Sequence, residues 1–148
     1  MQVMTCPRRI HRRWLRVAAV VIAGFAPCLF LGTMPAFAEP ARLGLDILTW
    51  PVDGFPSYAS GEIRFLSALT GGFLLGWGCT LWCLSTWVYP LAPDAVRRAV
   101  VTGACAWFVL DSAGSITSGH AANAAINVAV LLLVVGPMWL PAREDCAT

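Results

Sequence analysis

Four long apolar runs divide the chain, and each is long enough to cross a lipid bilayer. A transmembrane helix needs about 20 largely apolar residues, and the runs predict helices over 17–34, 65–88, 99–118 and 124–140. Only the third run contains a charged side chain, Asp111. The predicted fold class is therefore all-α, an integral membrane bundle of four antiparallel transmembrane helices in a single domain, 1–148.

The segment between the first two runs carries a shorter pattern. Leu43, Ile47 and Trp50 recur at helical spacing, and Pro51 ends the run. This spacing predicts a short amphipathic helix over 41–50. A helix of this kind lies in the membrane interface with its apolar side toward the lipid, so we expect it at the interface of the first outer loop.

The composition supports a membrane protein rather than a water-soluble one. Hydrophobic residues make up 58% of the 148 residues and charged residues 12%, with a mean hydropathy of +0.70. A soluble domain is about a quarter charged and roughly 45–50% apolar. Folded in water, so short a chain would have to hide more apolar surface than its interior can hold. The lipid bilayer is therefore the first predicted partner.

The placement of arginine predicts the orientation of the chain in the membrane. All ten basic residues are arginine, and a cytoplasmic N-terminus puts eight of them in cytoplasmic segments, leaving only Arg42 and Arg64 outside. This bias follows the positive-inside rule. Aromatic side chains that anchor helices at interfaces also lie near the predicted ends: Trp14, Trp50, Trp87, Tyr89 and Trp139. We expect a multi-pass membrane protein with both termini in the cytoplasm, and no nucleic-acid partner.

The N-terminal segment has a second interpretation as a secretory signal. A basic region and an apolar run precede Ala36-Phe37-Ala38, which has the form of a cleavage site. Cleavage there would remove 1–38 and leave three helices. The apolar run over 17–32 is long for a signal peptide, so we expect this segment to be retained as a membrane helix, with cleavage as the open alternative.

Asp111 is the residue most suggestive of function. A carboxylate at the centre of a span costs roughly 2.5–3.5 kcal/mol on insertion scales, so its side chain should face protein or water. The connection at Gly119 is short, which predicts that the third and fourth helices form an antiparallel hairpin. Two polar stripes then face each other, Asp111, Ser115 and Ser118 on one helix and His120, Asn123 and Asn127 on the other.

Two hypotheses explain these facing stripes. The first, which we favour, is an interhelical hydrogen-bond network that locks the hairpin, each pair contributing about 0.6 kcal/mol. The second is a polar cavity, open to the outside, that binds a proton, an ion or a small ligand. Acidic residues within membrane helices are by default hypotheses of function.

A stripe of small residues follows the second predicted helix at four-residue spacing: Ala68, Gly72, Gly76 and Thr80. Such a stripe lets a second helix approach closely, giving van der Waals contact where lipid supplies no hydrophobic drive. We expect it to pack within this chain's own bundle. The alternatives are a homo-oligomer or a membrane-protein partner.

Other motifs of catalysis or cofactor binding are missing. Cys79 and Cys83 lie one helical turn apart, whereas redox pairs usually have two intervening residues, so we interpret both as small buried hydrophobes. His120 and His11 are the only histidines, and His11 is expected in the cytoplasmic tail, so haem held by two histidines has no ligands. No phosphate-binding, zinc-hydrolase or nucleophile-elbow motif is present. We predict no cofactor, no metal site and no catalytic residue.

Two segments, 63–73 (IRFLSALTGGF) and 106–115 (AWFVLDSAGS), resemble those of small four-helix bacterial membrane proteins of unassigned function. The resemblance covers 43–140. It implies an inner-membrane location and places Asp111 in a recurring stretch, and it implies no catalytic role.

These patterns predict a non-enzymatic integral membrane protein with a structural or accessory role. The alternative is a small proton-linked transporter or ligand-binding membrane protein centred on Asp111. A membrane enzyme that acts on a lipid or a quinone is a third class, and it would need clustered polar residues near one interface.

Overall fold

The computed structural model describes residues 7–54 and 56–141, and these residues form helices without strands. The elements in chain order are α1 (Pro7–Leu31), a 3-10 turn (Pro35–Phe37), α2 (Glu39–Thr49), α3 (Gly61–Cys83) with a π-helical turn (Leu84–Val88), α4 (Pro93–Thr117), and α5 (Ala121–Val135) with a 3-10 turn (Gly136–Trp139). Arg143, which is counted among the predicted cytoplasmic arginines, lies outside the described residues.

Four of these helices are long and apolar enough to cross a membrane: Arg8–Leu31, Gly61–Val88, Pro93–Thr117 and Ala121–Trp139. The prediction of an all-helical, multi-pass membrane protein is therefore confirmed. The shorter helix predicted over 41–50 is present as α2, and its place at a membrane interface stays a prediction.

The first helix begins ten residues before its predicted start, at Pro7 rather than Val17. Proline is well suited to a first helical turn, and arginine, which dominates the following residues, is a good helix former. Long arginine side chains can also keep their charges in water while their stems cover apolar surface. The helix therefore continues beyond the apolar run that predicted it.

Helix α1 packs closely on α3 because α3 presents two glycines to it. A Cβ atom on Gly78 would lie 2.7 Å from the carbonyl oxygen of Ala19 and 2.7 Å from the Cβ of Ala23. A Cβ on Gly71 would lie 3.2 Å from the Cβ of Leu29. One turn before Gly71, the buried Ser67 donates a hydrogen bond to the Leu29 carbonyl oxygen at 2.9 Å. These contacts set the register of the two helices.

The predicted small-residue stripe does not lie in this contact. Ala68, Gly72, Gly76 and Thr80 are all exposed, and a Cβ on Gly72 or Gly76 would meet nothing within 4 Å. The face that packs is the neighbouring one, since adjacent helix positions are about 100° apart. The packing within the bundle that the sequence assigned to the stripe is therefore made by the residues beside it.

The apolar core lies at one end of the bundle, here called the Tyr89 end. It combines buried side chains from all four long helices and their final turns: Leu15, Ala19, Ile22, Leu81, Tyr89, Val96, Val100, Ala104, Val134, Val135 and Met138. Trp14 packs on this cluster, and its indole nitrogen donates to the Leu133 carbonyl oxygen at 2.6 Å. The opposite end, which contains α2 and the α4–α5 connection, is called the α2 end.

His11 belongs to the Tyr89 end, which corrects the prediction that it lies in a tail. Only 3% of its surface is exposed, and its ring meets that of Tyr89 edge to face, with 6.5 Å between the ring centroids. The error has the same cause as the wrong helix start, because residues 7–16 are helical and pack into the bundle.

Candidate functional site

Asp111 lies at the centre of a hydrogen-bond network between α4 and α5. Its Oδ1 atom accepts hydrogen bonds from the Ser115 hydroxyl at 3.2 Å, the Asn123 amide at 3.0 Å and the Asn127 amide at 3.0 Å. Among the described residues, every hydrogen bond to this carboxylate ends on Oδ1. One carboxylate oxygen therefore joins three side chains from two helices.

The donors of the network are also joined to one another. The Asn123 amide nitrogen donates to the Ser115 hydroxyl oxygen at 2.8 Å as well as to Asp111. The amide nitrogen of Asn127, which is buried, donates a second bond to the Ser112 hydroxyl oxygen at 3.2 Å. Because an amide nitrogen carries two hydrogens, Asn123 and Asn127 each donate both of their amide hydrogens inside the network.

Local sequence explains why these groups meet. Ser115 follows Asp111 by one helical turn, and Asn127 follows Asn123 by one turn, so each pair shares a helix face. The connection turns tightly at Gly119, whose φ of +84° is a conformation that glycine adopts without strain. The two faces are thus brought together within a short stretch of chain.

The six predicted site residues divide into two groups. Asp111, Ser115, Asn123 and Asn127 form the network, as described above. Ser118 and His120 lie beside it at the helix end, where the Ser118 hydroxyl is 3.2 Å from the His120 Nδ1 atom. The sequence prediction omitted Ser112, although its position next to Asp111 on a span with so few polar residues was a signal.

A polar cavity of about 230 Å³ adjoins this network at the α2 end. Four of the predicted residues line it from α4 and α5: Ser115, Ser118, His120 and Asn123. Its remaining walls come from α2, through Leu45, Leu48 and Thr49. Helix α2 therefore covers the polar groups of the α4–α5 pair.

A larger apolar cavity of about 590 Å³ lies beside the polar cavity along α2. Side chains of α1, α2 and α3 line it, and Ile126 contributes from α5. Leu45 and Leu48 line both cavities. The two cavities are thus neighbours that share part of α2 as a common wall.

Asp46 positions α2, and sequence reasoning missed it. The residue is 1% exposed, its Oδ2 accepts from the Gly54 backbone N–H at 2.9 Å, and its Oδ1 accepts from the Asp53 N–H at 3.3 Å. Arg42 lies one turn earlier, with its guanidinium 3.8 Å from Oδ2. The chain after α2 is therefore tied back onto the helix. The Asp53-Gly54 turn was the available signal, because turn N–H groups often bond a nearby carboxylate.

The Tyr89 end holds a second set of buried polar groups. Tyr89 is 3% exposed, burial raises the pKa of its hydroxyl, and neither that hydroxyl nor His11 Nδ1 has a hydrogen-bond partner among the described residues. The π-helical turn next to Tyr89 leaves the carbonyl of Ser85 available, and the Arg12 Nε atom donates to it at 3.0 Å. These groups lie within the core and line neither cavity described above.

The cysteines do not form a site within the described residues. Cys28, Cys79, Cys83 and Cys105 are all unpaired. Cys79 is exposed on the bundle surface and Cys83 is half-buried, so the interpretation of both as buried hydrophobes is corrected for Cys79. No group of three or more His, Cys, Asp or Glu side chains in the described part of the chain is arranged to hold a metal ion.

Comparison with known proteins adds no functional assignment. No protein-family model, no curated protein and no solved structure matches the chain. The two cavities and the network are therefore the features that bear on function.

Proposed function

We propose that this chain is a non-enzymatic ligand-binding protein of the bacterial inner membrane, which holds its ligand in the polar cavity beside Asp111. Four antiparallel spans with both termini in the cytoplasm put the α2 end on the outer side. The distribution of arginine supports this orientation. The exposed Leu43, Ile47 and Trp50 of α2 and its end support a position of α2 in the outer interface.

We further propose that α1 is retained rather than cleaved as a signal peptide. Leu15, Ala18 and Ala19 are among its fully or almost fully buried side chains. Cleavage after Ala38 would remove the helix against which Gly71 and Gly78 of α3 pack. A protein of three helices would expose the face of α3 that packs on α1.

The observation that carries the ligand hypothesis is the polar cavity of about 230 Å³ with Asp111 behind its wall. The cavity opens at the surface of the bundle, where the exposed Ser118 and His120 border it, so a ligand can enter it from outside the bundle. Here Ser115 and Asn123 contact Asp111 on one side and line the cavity on the other. The charge of the carboxylate is thus coupled to the cavity through these two residues.

The side chains of Ser115 and Asn123 offer the cavity acceptors but no donor. Both Asn123 amide hydrogens and the Ser115 hydroxyl hydrogen are spent inside the network, which leaves the Asn123 carbonyl oxygen free to accept. A carboxylate lies directly behind them. The cavity is therefore suited to a group that donates hydrogen bonds, such as an ammonium or a hydroxyl group, and repels a phosphate or a carboxylate.

A purely structural or accessory role is the second candidate. The observation that favours it is that the five side chains of the network largely satisfy one another. In membrane helices such pairs contribute about 0.6 kcal/mol each, which is enough to hold α4 and α5 in register. Under this hypothesis the charge of Asp111 has no ligand to recognise.

A short water-soluble probe distinguishes the two candidates. Hexylammonium and hexanoate are titrated into the purified full chain in a nonionic detergent, with binding measured by calorimetry. We expect hexylammonium to bind and hexanoate not to bind. Asp111→Asn keeps the shape and one acceptor oxygen but removes the charge behind the wall. At an effective dielectric constant of about 20, two unit charges roughly 7 Å apart attract by about 2 kcal/mol, so binding should weaken by roughly tenfold or more.

Asp94→Asn is the matched control, because Asp94 is an exposed acid in the first turn of the same helix and its side chain is 56% exposed. It should leave binding unchanged. If hexylammonium binds wild type and Asp111→Asn equally, or hexanoate binds as tightly, the ligand hypothesis is wrong at this site and the structural role stands.

A further inference from the structure

We infer that the ligand is a single-chain amphiphile, with its polar head in the polar cavity and its hydrocarbon chain in the apolar cavity. This inference rests on the proposed function and adds the chemical class of the ligand. The head is an ammonium or a hydroxyl group, and the tail is a single acyl or alkyl chain. The juxtaposition of the two cavities across Leu45 and Leu48 is the basis of the inference.

The apolar cavity has a size typical of a ligand site. Its volume of about 590 Å³ lies within the range of roughly 300–1,000 Å³ that small-molecule cavities occupy. The polar cavity alone, at about 230 Å³, is below that range. A ligand that fills both cavities therefore matches their combined size better than a small ion or metabolite.

The few hydroxyl groups around the apolar cavity are already used. The Ser67 hydroxyl donates to the Leu29 carbonyl oxygen at 2.9 Å, and the Thr70 hydroxyl donates to the Leu66 carbonyl oxygen at 2.8 Å. The Tyr58 hydroxyl oxygen lies 3.5 Å from the Ser67 hydroxyl oxygen. These bonds leave aliphatic surface as the main surface that the cavity presents, so it suits hydrocarbon rather than a polar molecule.

Charge decides which head group enters the other cavity. Asp111 is the acid behind the polar wall, and His120 is one of the residues that line it. Arg42 is turned toward Glu39, at 3.0 Å, and toward Asp46, and lines neither cavity. With this acid behind its wall, the polar cavity favours a donor head over the anionic head of a fatty acid.

A photo-crosslinking experiment on the full chain in phosphatidylcholine nanodiscs tests this inference. The probe is hexadecylammonium with a diazirine near the end of its chain, and labelled peptides are mapped by mass spectrometry. We expect labelling at Leu29, Ser67 and Thr70, reduced at least fivefold by excess unlabelled hexadecylammonium or hexadecanol. Excess hexadecanoate should not compete.

A matched pair of glycine variants tests whether the hydrocarbon tail lies in the apolar cavity. Gly44 lies on α2 in the wall of the apolar cavity, and a Cβ there meets nothing within 4 Å, so Gly44→Leu puts a side chain into the space without a clash at its base. Gly24 on α1 is equally open but lines neither cavity. Gly44→Leu should reduce the specific labelling at least fivefold, and Gly24→Leu should leave it unchanged.

The outcomes separate this inference from the proposed function. If labelling is spread over surface residues such as Phe73 and Leu110 and is not competed, no tail site exists and the inference is overturned. If Gly44→Leu leaves the specific labelling intact, the tail does not occupy the apolar cavity. In both cases binding of the short hexylammonium probe, and its loss in Asp111→Asn, can still hold, so the proposed function survives. Failure of that short probe overturns both.

Discussion

The contact between α1 and α3 makes a prediction about two glycines on the same helix. Gly78→Ala places a methyl group 2.7 Å from the Ala19 carbonyl oxygen and 2.7 Å from the Ala23 Cβ, and 3.0 Å from the Ala23 backbone nitrogen. Two of these neighbours are backbone atoms of a helix, which cannot move aside without shifting α1. Gly76→Ala, half a turn away, adds the same methyl group where nothing lies within 4 Å.

The expected magnitude follows from what the two variants share. Alanine in place of glycine stabilises a helix by about 0.5–1 kcal/mol, and this gain applies to both positions. Overpacking typically costs about 1–3 kcal/mol and applies only to Gly78. The free energy of unfolding should therefore be lower for Gly78→Ala than for Gly76→Ala by about 1–3 kcal/mol, with Gly76→Ala equal to or above wild type.

The assay is unfolding of the full chain by SDS in mixed micelles, followed by the fluorescence of its seven tryptophans. The two variants differ only in position, so effects of micelle composition cancel in the comparison. If Gly76→Ala loses as much stability as Gly78→Ala, or more, then α3 packs through the stripe of Ala68, Gly72, Gly76 and Thr80, and the register described above is wrong.

Three further predictions address other parts of the molecule. Tyr89→Phe removes a buried hydroxyl that has no partner among the described residues, so the free energy of unfolding should stay within about 1 kcal/mol of wild type or rise; a large loss in the same SDS titration would show that this hydroxyl is bonded. Asp46→Asn leaves only one side-chain oxygen that can accept a hydrogen bond. Loss of a bond worth about 1–3 kcal/mol should make hydrogen exchange of the Asp53 and Gly54 amides about tenfold faster or more. Glu39→Gln, which alters an exposed ion pair, should leave this exchange rate unchanged. Intact mass measurement of the purified protein should give a chain that includes 1–38, and a mass lower by that segment would support cleavage after Ala38.

Hydropathy predicted the four spans because the lipid bilayer restricts which segments of a chain can cross it. A span must be apolar over its whole length and satisfy its own backbone hydrogen bonds, so the four runs marked the helices. Their ends were less well predicted, since the helix α1 continues to Pro7 through a stretch of arginines that an apolar criterion excludes. Helix formation and membrane insertion are separate requirements, and only the second appears in hydropathy.

The packing register of α3 could not be obtained in the same way. Two small-residue patterns overlap on this helix, one through Gly72 and Gly76 and one through Ser67, Gly71 and Gly78. Hydropathy cannot choose between them, because lipid is as apolar as a neighbouring helix. The packing face is the one that meets Ala19, Ala23 and Leu29 of α1. The sequence of α3 alone does not specify this face, because it depends on α1.

The candidate site was predicted in part for a physical reason. A lone carboxylate in a span needs partners, and helical spacing leaves few residues able to reach Asp111, so Ser115, Asn123 and Asn127 followed. The covering role of α2 was not predictable, because the position of Leu45 and Leu48 over the α4–α5 pair is a tertiary contact. Asp46 was missed for a similar reason. On an amphipathic helix it has the spacing of a solvated residue, and its bonds from Asp53 and Gly54 form only because the chain after α2 folds back.

The two ends of the bundle differ in a way that bears on how the protein works. At the Tyr89 end, side chains of all four long helices form one close-packed core, so relative movement of the helices there would open cavities and cost several kcal/mol. At the α2 end, the polar α4–α5 pair and the α1–α3 pair are separated by two cavities and connected through α2. The shorter helix contributes no side chain to the core, so a shift of α2 would leave the core contacts intact. If the protein admits a ligand, the passage should depend on the contacts that hold α2, above all the hydrogen bonds of Asp46.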